Sequence, residues 1–524
     1  MFKCKQLLRR ICVVSYVFLL CGGLANASNL VSKTNTLIGT QGNGWASGYL
    51  YPGATYPFGM VQFTPTYFTK QLGFVINQLS GAGCDHMGNF PTLPVAGALR
   101  VSPDSILNMQ TPVGKEIGTA GYYTATVDHS IRAELTVTER TGMARYTFSP
   151  KEKQGTVIIG GGVAATPIQV AAIKITGPHS CEGYADGGAF CGIPTPYKVY
   201  FVAEFDADAE SFGTWKEERL HANHTFAEGS HSGVYFTFPL KEGNQAVQYK
   251  IGVSYVSVEN ARENLRVENP AWDFSAVRQA TQDKWNEYLG KIEVEGDNED
   301  RQMQFYTHLY RSLIHPNVCS DVNGEYMGAD NQVHKTARKF YTSFSNWDTY
   351  RTQTALIAML APEETSDIVM SHYLFAEQSG GGFPRWVLAN IETGVMQGDP
   401  TPILVANAYA FGARNYDPRT LLRTMRYGAE VPGAHSQGVL TRPGLEQYLE
   451  KGYYDASILL EYTSSDFAIG RFALQACNDE PVCNWYTQRA MNWKNLFNKE
   501  TGWLQSRNED GSWKRYDADW REST

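Results

Sequence analysis

The sequence predicts a β-sandwich domain followed by a helical domain. The first half alternates apolar and polar residues in short runs, whereas the second half repeats apolar residues at spacings of three and four. A chain of 524 residues, 43% of them hydrophobic, needs more than one hydrophobic core, so we expect two or three domains. The composition, with 30 Tyr, 25 Phe and 11 Trp, excludes disorder and coiled coil as the dominant class.

Residues 1–27 precede the predicted sandwich and have the pattern of an export signal. A positively charged start is followed by an apolar run at 11–20 and by a small-residue cleavage pattern at 25–27. The alternatives are a lipoprotein modified at Cys21 and a transmembrane anchor, which needs about 20 apolar residues. The anchor is disfavoured because Cys21 and two glycines interrupt the apolar run. We therefore expect an exported protein, periplasmic or extracellular.

The region from about residue 30 to 265 is rich in Gly, Thr, Val and Tyr and shows two-residue periodicity. Many short strands without intervening helices are typical of a β-sandwich. The predicted strands are 122–127, 132–138, 144–148, 156–159, 198–205, 233–238 and 248–258.

Near residue 272 the pattern changes to helical spacing, which indicates a second domain. We place the boundary between the two domains at 265–275. The predicted helices are 272–290, 299–312, 366–377, 402–413, 445–450, 458–476 and 485–497.

Six cysteines remain once the export signal is removed, and an oxidising compartment favours disulfides. Two pairs are close in sequence and are predicted to be bridged: Cys181 with Cys191, and Cys477 with Cys483. We expect Cys84 and Cys319 to be buried free thiols. The spacing of Cys and His does not match a zinc site.

The charge of the chain and the distribution of its apolar residues each exclude one class of partner. The formal net charge is −8, and no basic block follows residue 10, so we expect no nucleic-acid partner. The one long apolar run lies at the N-terminus, so we expect no membrane span in the mature protein.

Three segments mix carboxylates, aromatic residues and glycines: 344–351, 380–399 and 520–524. In the first, Trp347 stands beside Asp348 and Arg351, a combination that suits sugar recognition by ring stacking and hydroxyl contacts. The alternative is a core Trp347 and an Asp348 that caps a helix. By themselves, the second segment is typical of a glycine-rich interhelical turn and the third of a solvated tail.

The strings that surround these residues resemble glycoside hydrolase family 92, the calcium-dependent exo-acting α-mannosidases. The resemblance spans the whole chain after the export signal. The strings are YPGATYPFGMVQ at 51–62, LSGAGCD at 79–85, SNWDTYR at 345–351, MQGD at 396–399 and LEY at 460–462.

The resemblance implies a β-sandwich at 28–268, a helical linker at 269–315 and an incomplete (α/α)6 barrel at 316–524, with the active site between them. It implies inverting hydrolysis of terminal α-mannose on glycans, in which an acid and a base lie roughly 6.5–9.5 Å apart. It also implies a Ca²⁺ ion bound through oxygen ligands.

The resemblance also assigns residue roles. Glu522 corresponds to the general acid, and Trp347, Asp348 and Arg351 to groups that hold the mannose. The remaining expected sugar contacts are Asp399, Cys84 and Asp85. We expect Glu461 to be a structural carboxylate with its hydrogen bonds satisfied. The alternative is that Glu461 is the general acid.

Family members continue past the glutamate motif with helices that supply the catalytic base and most calcium ligands. This sequence ends two residues after Glu522, so we expect the 524-residue chain to be inactive as it stands. Two alternative hypotheses remain. The protein is a non-catalytic carbohydrate-binding protein, or it is an exo-glycosidase of the same architecture that acts on another sugar.

Overall fold

The computed structural model describes residues 29–41, 48–104, 111–162, 164–243 and 245–515. The predicted export signal and the predicted acid Glu522 lie outside these ranges. Within them, no helix is long and apolar enough to cross a membrane.

The N-terminal half is built from β-strands, as the sequence predicts. Its strands are β1 (Ala54–Thr55), β2 (Gln62–Pro65), β3 (Phe74–Val75), β4 (Thr92–Ala96), β5 (Val113–Thr119), β6 (Tyr122–Val127), β7 (Ile131–Val137), β8 (Thr141–Thr147), β9 (Gln154–Gly160), β10 (Ala171–Gly177), β11 (Ser180–Asp186), β12 (Ala189–Phe190), β13 (Ile193–Pro194), β14 (Lys198–Phe205), β15 (Ser211–Lys216), β16 (Arg219–Ala222), β17 (Phe226–Glu228), β18 (Ser232–Pro239) and β19 (Ala246–Ser254). All seven predicted strands overlap these, and 198–205 coincides with β14.

The strands form two antiparallel sheets and one separate hairpin of β12 with β13. One sheet has the order β1-β2-β3-β4-β9-β18-β15-β16, and the other β17-β10-β11-β14-β19-β8-β7-β6-β5. Alternate residues enter the shared core: on β14, Val199, Phe201 and Ala203 are fully buried. The two-residue alternation in the sequence of such a strand therefore indicates that one of its faces is buried in the core.

The C-terminal half is mainly helical. Its helices are α1 (Val258–Glu268), α2 (Phe274–Leu289), α3 (Glu299–Ser312), α4 (Asn346–Thr349), α5 (Gln353–Leu360), α6 (Pro362–Ser379), α7 (Thr401–Ala410), α8 (Pro418–Glu430), α9 (Leu445–Lys451), α10 (Ala456–Cys477) and α11 (Glu480–Ala490). Three 3-10 helices are Leu30–Lys33, Lys70–Leu72 and Met491–Leu496. Each predicted helix overlaps a helical segment, and 299–312 coincides with α3.

Short strands connect these helices. They are β20 (Asn317–Val318), β21 (Glu325–Met327), β22 (Val333–Lys335), β23 (Tyr341–Thr342), β24 (Phe344–Ser345), β25 (Trp386–Leu388), β26 (Ile391–Glu392), β27 (His435–Ser436), β28 (Val439–Leu440), β29 (Phe497–Asn498) and β30 (Trp503–Leu504). The group β24-β25-β26 brings the Trp347 turn beside the 380–399 loop.

Helices α2 and α3 join the two halves. The indole of Trp285 is fully buried and donates to the Thr55 carbonyl at 2.7 Å. The Tyr310 hydroxyl lies 2.8 Å from the Thr55 hydroxyl, and the Arg311 guanidinium donates to the Tyr51 carbonyl at 2.9 Å. Because both partners in these contacts are buried or half-buried, the helices fix the sandwich against the helical half.

A buried ion-pair network lies within the helical half. Asp466 on α10 accepts from Arg442 Nη1 at 2.7 Å and from Arg489 Nε at 2.7 Å, and Tyr448 donates to it at 2.7 Å. Burial alone raises the pKa of Asp466, but the two guanidinium groups outweigh it and hold that pKa below its ordinary value. The carboxylate therefore stays ionised in the core and ties α9, α10 and α11 together.

The predicted Cys181–Cys191 disulfide is wrong. The structure joins Cys84 to Cys191, with Cα atoms 5.2 Å apart, so the prediction of a free Cys84 is wrong as well. Cys181 lies on β11 and is fully buried in the sandwich core, where burial raises the pKa of its thiol. Cys191 lies outside that core, in the turn after β12. Proximity in sequence fails here because the strand directs Cys181 away from that turn.

The other cysteines that the structure describes are free thiols. The bridge predicted between Cys477 and Cys483 is therefore wrong, whereas the buried free thiol predicted at Cys319 is confirmed. Cys477 ends α10 while Cys483 lies on α11, where its sulfur faces the Thr487 hydroxyl on its own helix at 3.9 Å.

Candidate active site

A cleft of about 390 Å³ lies between the two halves. The sandwich contributes residues around the 79–82 loop, α3 and the segment after it contribute a second side, and the Asp348 turn contributes a third. The lining residues are Leu50, Leu79, Ser80, Gly81, Ala82, His308, Arg311, Ser312, His315, Pro316, Ser343, Ser345, Asp348, Thr349, Gln353 and Trp386. Among the described residues that line this cleft, Asp348 is the one carboxylate.

The turn that carries Asp348 is anchored by its first residue. Asn346 is 1% exposed, and its amide donates to the Thr401 hydroxyl at 2.9 Å and to the Pro384 carbonyl at 3.2 Å. Asp348 itself is exposed and accepts a hydrogen bond from the Ser345 hydroxyl. The buried Asn346 therefore fixes the backbone from which Asp348 extends into the cleft.

Three further side chains of this turn converge on Glu461 of α10. Trp347 Nε1 donates to its carboxylate at 3.1 Å, the Tyr350 hydroxyl at 3.2 Å and Arg351 at 3.5 Å. Burial, together with this carboxylate, raises the pKa of Tyr350. Gly398 has φ +80°, and a Cβ on it would lie 2.5 Å from Cβ of Glu461, so only glycine fits there. As predicted, Glu461 is a satisfied carboxylate.

Trp347 is half-buried, and the Arg351 guanidinium lies 4.6 Å from the centre of its ring. This cation–π contact covers part of the indole surface that the sequence suggested for sugar stacking. Both residues lie beside Asp348 but are not among the residues that line the cleft.

The 380–399 loop is held together by a buried arginine and a buried glutamate. Arg385 donates to the Gly398 carbonyl at 2.9 Å, and Glu392 accepts from the Arg385 backbone N–H at 2.6 Å. Asp399 is 3% exposed and pairs with Arg442 at 2.9 Å, and burial raises its pKa. The predicted sugar contact Asp399 is thus part of the ion-pair network and does not line the cleft.

The 79–85 loop brings the other predicted contacts near the cleft. Cys84 is half-buried and disulfide-bonded, while Asp85 is exposed and accepts from the Tyr67 hydroxyl at 3.3 Å. Their neighbours at 80–82, rather than these two side chains, line the cleft. Glu522, the predicted acid, lies outside the described residues.

Sequence reasoning missed the residues that hold this site in place. His86 and His315 accept hydrogen bonds from the 79–85 loop, and Asn346 anchors the Asp348 turn. His86 and Asn346 lie in or beside the recognised strings, but a string does not show which of its polar residues turn inward.

The Ca²⁺ ion that the resemblance implies would need several oxygen ligands from carboxylates and carbonyls. In the described ranges there is no group of three or more His, Cys, Asp or Glu side chains that could hold a metal ion. Asp348 is the one carboxylate among the described residues that line the cleft, and two other carboxylates of the predicted site segments are already paired: Glu461 with three donors and Asp399 with Arg442. The described residues therefore do not fit a calcium ligand set.

Comparisons with known proteins divide the chain into the same two parts. Residues 34–254 match the N-terminal domain of glycosyl hydrolase family 92, and residues 260–524 match the catalytic domain of the same family. A curated relative, an uncharacterized secreted glycosidase of Arthroderma benhamiae, is 24% identical over 564 aligned residues, which cover 93% of this chain and 66% of the relative.

Solved structures agree in fold. A family GH92 α-mannosidase of Bacteroides thetaiotaomicron matches with a TM-score of 0.84 and 24% identity over 93% of this chain and 68% of that chain. The same enzyme is known in complex with mannoimidazole. A GH92 inverting mannosidase of the same organism has a TM-score of 0.83 and 25% identity over 94% of this chain and 68% of that chain.

The chain spans about two thirds of the length of these relatives. They share its β-rich N-terminal domain followed by a helical domain. Because the catalytic-domain match alone covers half of the chain and the N-terminal match covers most of the rest, the protein belongs to glycosyl hydrolase family 92.

Proposed function

We propose that the protein is an exported α-mannosidase of inverting mechanism that binds the terminal α-linked mannose of glycans in the cleft between its halves. The observation that carries this proposal is Asp348, an exposed carboxylate on an anchored turn in a cleft of about 390 Å³. Family membership and the mannosidases of the same fold support the choice of sugar.

In this proposal Asp348 accepts hydrogen bonds from two adjacent sugar hydroxyls. A carboxylate has two oxygens with free lone pairs, and the Ser345 hydroxyl orients one of them. Trp386 lines the same cleft, but it is 3% exposed and stacked on Phe190, so it shapes the cleft by packing rather than by stacking on the sugar. Trp347 and Arg351 act by holding the turn, together with Glu461.

Inversion requires an acid that protonates the leaving oxygen and a base that activates water. We assign the acid to Glu522 by resemblance to the family. The described part of the cleft has Asp348 as its one carboxylate, so it provides sugar recognition rather than an acid–base pair. The proposal therefore includes weak or absent hydrolysis by the 524-residue chain, and its alternative is a carbohydrate-binding protein without catalysis.

Calcium stays part of the proposal through the family resemblance alone. The described residues do not form a site for such an ion; where one bound, it would supply Lewis-acid chemistry. A chain extended to the length of the relatives should lose mannose release in a chelator and regain it with added calcium. Full activity in excess chelator would contradict this part of the proposal.

The proposed function is tested by binding and release assays on the 524-residue chain. Isothermal titration with mannoimidazole should show binding that Asp348→Asn weakens by at least about tenfold, since a charge-assisted hydrogen bond is lost. Asp297→Asn, an exposed position away from the cleft, is the matched control and should bind as the wild type does. Absence of binding, or equal binding of gluco- and galacto-configured inhibitors, would overturn the assignment to mannose.

A further inference from the structure

Two histidines from different parts of the chain hold the 79–85 loop, the wall that the sandwich contributes to the cleft. The backbone N–H of Leu79 donates to Nε2 of His86 at 2.9 Å. The next N–H, that of Ser80, donates to Nε2 of His315 at 2.8 Å. Consecutive peptide groups are therefore fixed by two imidazoles, one from the sandwich and one from the segment after α3.

The remaining contacts of the two rings define their protonation. Nδ1 of His86 donates to the Cys84 carbonyl at 2.7 Å, and Nδ1 of His315 donates to Oδ1 of Asn317 at 2.7 Å. Nε2 of His86 also lies 3.2 Å from the Leu79 carbonyl, but the shorter Nδ1 contact with the Cys84 carbonyl assigns the proton to Nδ1. With the proton on Nδ1, each Nε2 keeps a lone pair that can accept from the loop. Burial lowers the pKa of both histidines to about 4, in agreement with neutral rings.

Beyond Ser80 the loop has few backbone hydrogen bonds of its own. Within the described part of the chain, the backbone N–H groups of Gly81, Ala82 and Gly83 make no hydrogen bond. A Cβ at Gly81 or Gly83 would meet no atom within 4 Å, and Gly81 has φ +82°. Gly81 and Gly83 are exposed while Ala82 packs in the sandwich core, so the position of this stretch depends on that one packed side chain and on what holds its two ends.

The far end of the loop is tied to the helical half. The Cys84–Cys191 disulfide connects it to the hairpin of β12 and β13. The neighbouring Phe190 stacks on Trp386, with ring centroids 4.3 Å apart and planes at 28°. Trp386 lines the cleft from the helical side. His315 therefore holds the loop at Ser80, the disulfide-linked hairpin holds it at Cys84, and His86 contacts both ends.

We propose that His86 and His315 are positioning residues that fix the position of the 79–85 loop relative to Asp348. They thereby determine the width of the cleft and which sugars it accepts. The identity of the sugar rests on the proposed function, whereas the positioning of the wall does not. The inference predicts that loss of a single acceptor nitrogen changes both loop protection and sugar affinity.

The test compares two substitutions of one histidine in the full 524-residue chain. His315→Gln can place a side-chain oxygen near the position of Nε2 and keep an acceptor for Ser80, whereas His315→Leu removes the acceptor. Residue-resolved amide exchange should rise about tenfold or more at Ser80 in the Leu variant, since a buried donor loses its partner. Its affinity for mannoimidazole should fall about tenfold. The Gln variant should stay close to the wild type in both measurements.

Unchanged exchange and affinity in a folded His315→Leu variant would overturn the inference. A wild type that binds no mannoimidazole but shows the predicted exchange pattern contradicts the proposed function and supports the positioning role. If the His315→Leu variant does not fold, the amide exchange rates of the wild type test the inference instead. Rates at 79 and 80 about tenfold or more below those at 81–83 support the inference, and equal rates overturn it.

Discussion

Trp347 donates its indole N–H to Oε1 of Glu461 at 3.1 Å, although 114 positions separate the two residues in sequence. Tyr350 and Arg351 contact the same carboxylate. The turn that presents Asp348 is therefore fastened to α10 as well as to its own loop. This makes the geometry of the cleft depend on a glutamate that does not line it.

The Glu461 contact predicts a stability effect. Glu461→Leu should lower the free energy of unfolding by about 3 kcal/mol, because the Trp347 and Tyr350 donors lose their acceptor in a mostly buried place. Urea unfolding measures this change. Glu450→Gln, on the exposed end of α9, is the control and should change it by no more than about 0.5 kcal/mol. A Glu461→Leu variant as stable as the wild type would show that the contact contributes nothing.

The network around Asp466 predicts a larger effect. Asp466→Ala leaves two guanidinium groups, Arg442 and Arg489, without their shared carboxylate in a fully buried place, so unfolding should become easier by about 3–5 kcal/mol. Chemical denaturation of this variant is compared with Glu446→Gln, an exposed position on α9. The idea fails if the two variants unfold at the same denaturant concentration.

His86 and His315, together with the equally buried His372, predict how stability depends on pH. Their pKa values in the folded chain, about 4, lie below the ordinary value of 6.5, so the unfolded chain binds protons that the folded chain does not. Their contribution to stability is therefore complete above pH 6.5 and is lost as the pH falls from 6.5 towards 4. Each histidine contributes about 3 kcal/mol to this loss.

Unfolding measured at several pH values between 7 and 4 checks this dependence. In a folded His86→Gln variant the slope across this interval should be less steep by about one third, since one of three buried histidines with a lowered pKa is gone. An unchanged slope would show that these histidines do not control the pH dependence.

The Cys84–Cys191 bridge predicts sensitivity to reductant. It spans 107 positions, so its removal should lower the free energy of unfolding by on the order of 4 kcal/mol through the entropy of the unfolded chain. Thermal unfolding with and without reductant measures the difference. The variant Cys84→Ser/Cys191→Ser is the control, because it should not respond to reductant. Peptide mapping that found Cys191 joined to Cys181 would contradict the structure.

The two-domain organisation, seven of the strands and seven of the helices could be predicted because periodicity records burial on one face. Helix α3 at 299–312 and strand β14 at 198–205 were predicted to the residue. Helix α5 was not predicted: it has only eight residues and is apolar around most of its circumference, so it has no helical spacing to detect. Helix α8 was missed although its apolar residues do follow helical spacing.

The candidate site could be predicted only in part. Residues close together in a distinctive string, such as Trp347 and Asp348, were found. Glu461, which holds Trp347, and His315, which holds the loop at Ser80, come from distant segments, and the partners of each depend on which side chains turn inward. The same limit explains the wrong disulfide, because sequence distance does not report the direction in which a strand points a cysteine.

The most direct test of the proposed sugar site is a crystal structure of the 524-residue chain soaked with mannoimidazole. The account predicts the inhibitor in the cleft between the 79–82 loop and Asp348, with a carboxylate oxygen of Asp348 about 2.7–2.9 Å from a sugar hydroxyl. Inhibitor bound elsewhere, such as in the groove between α7 and α10 beside Phe467, with the cleft at Asp348 empty, would contradict it.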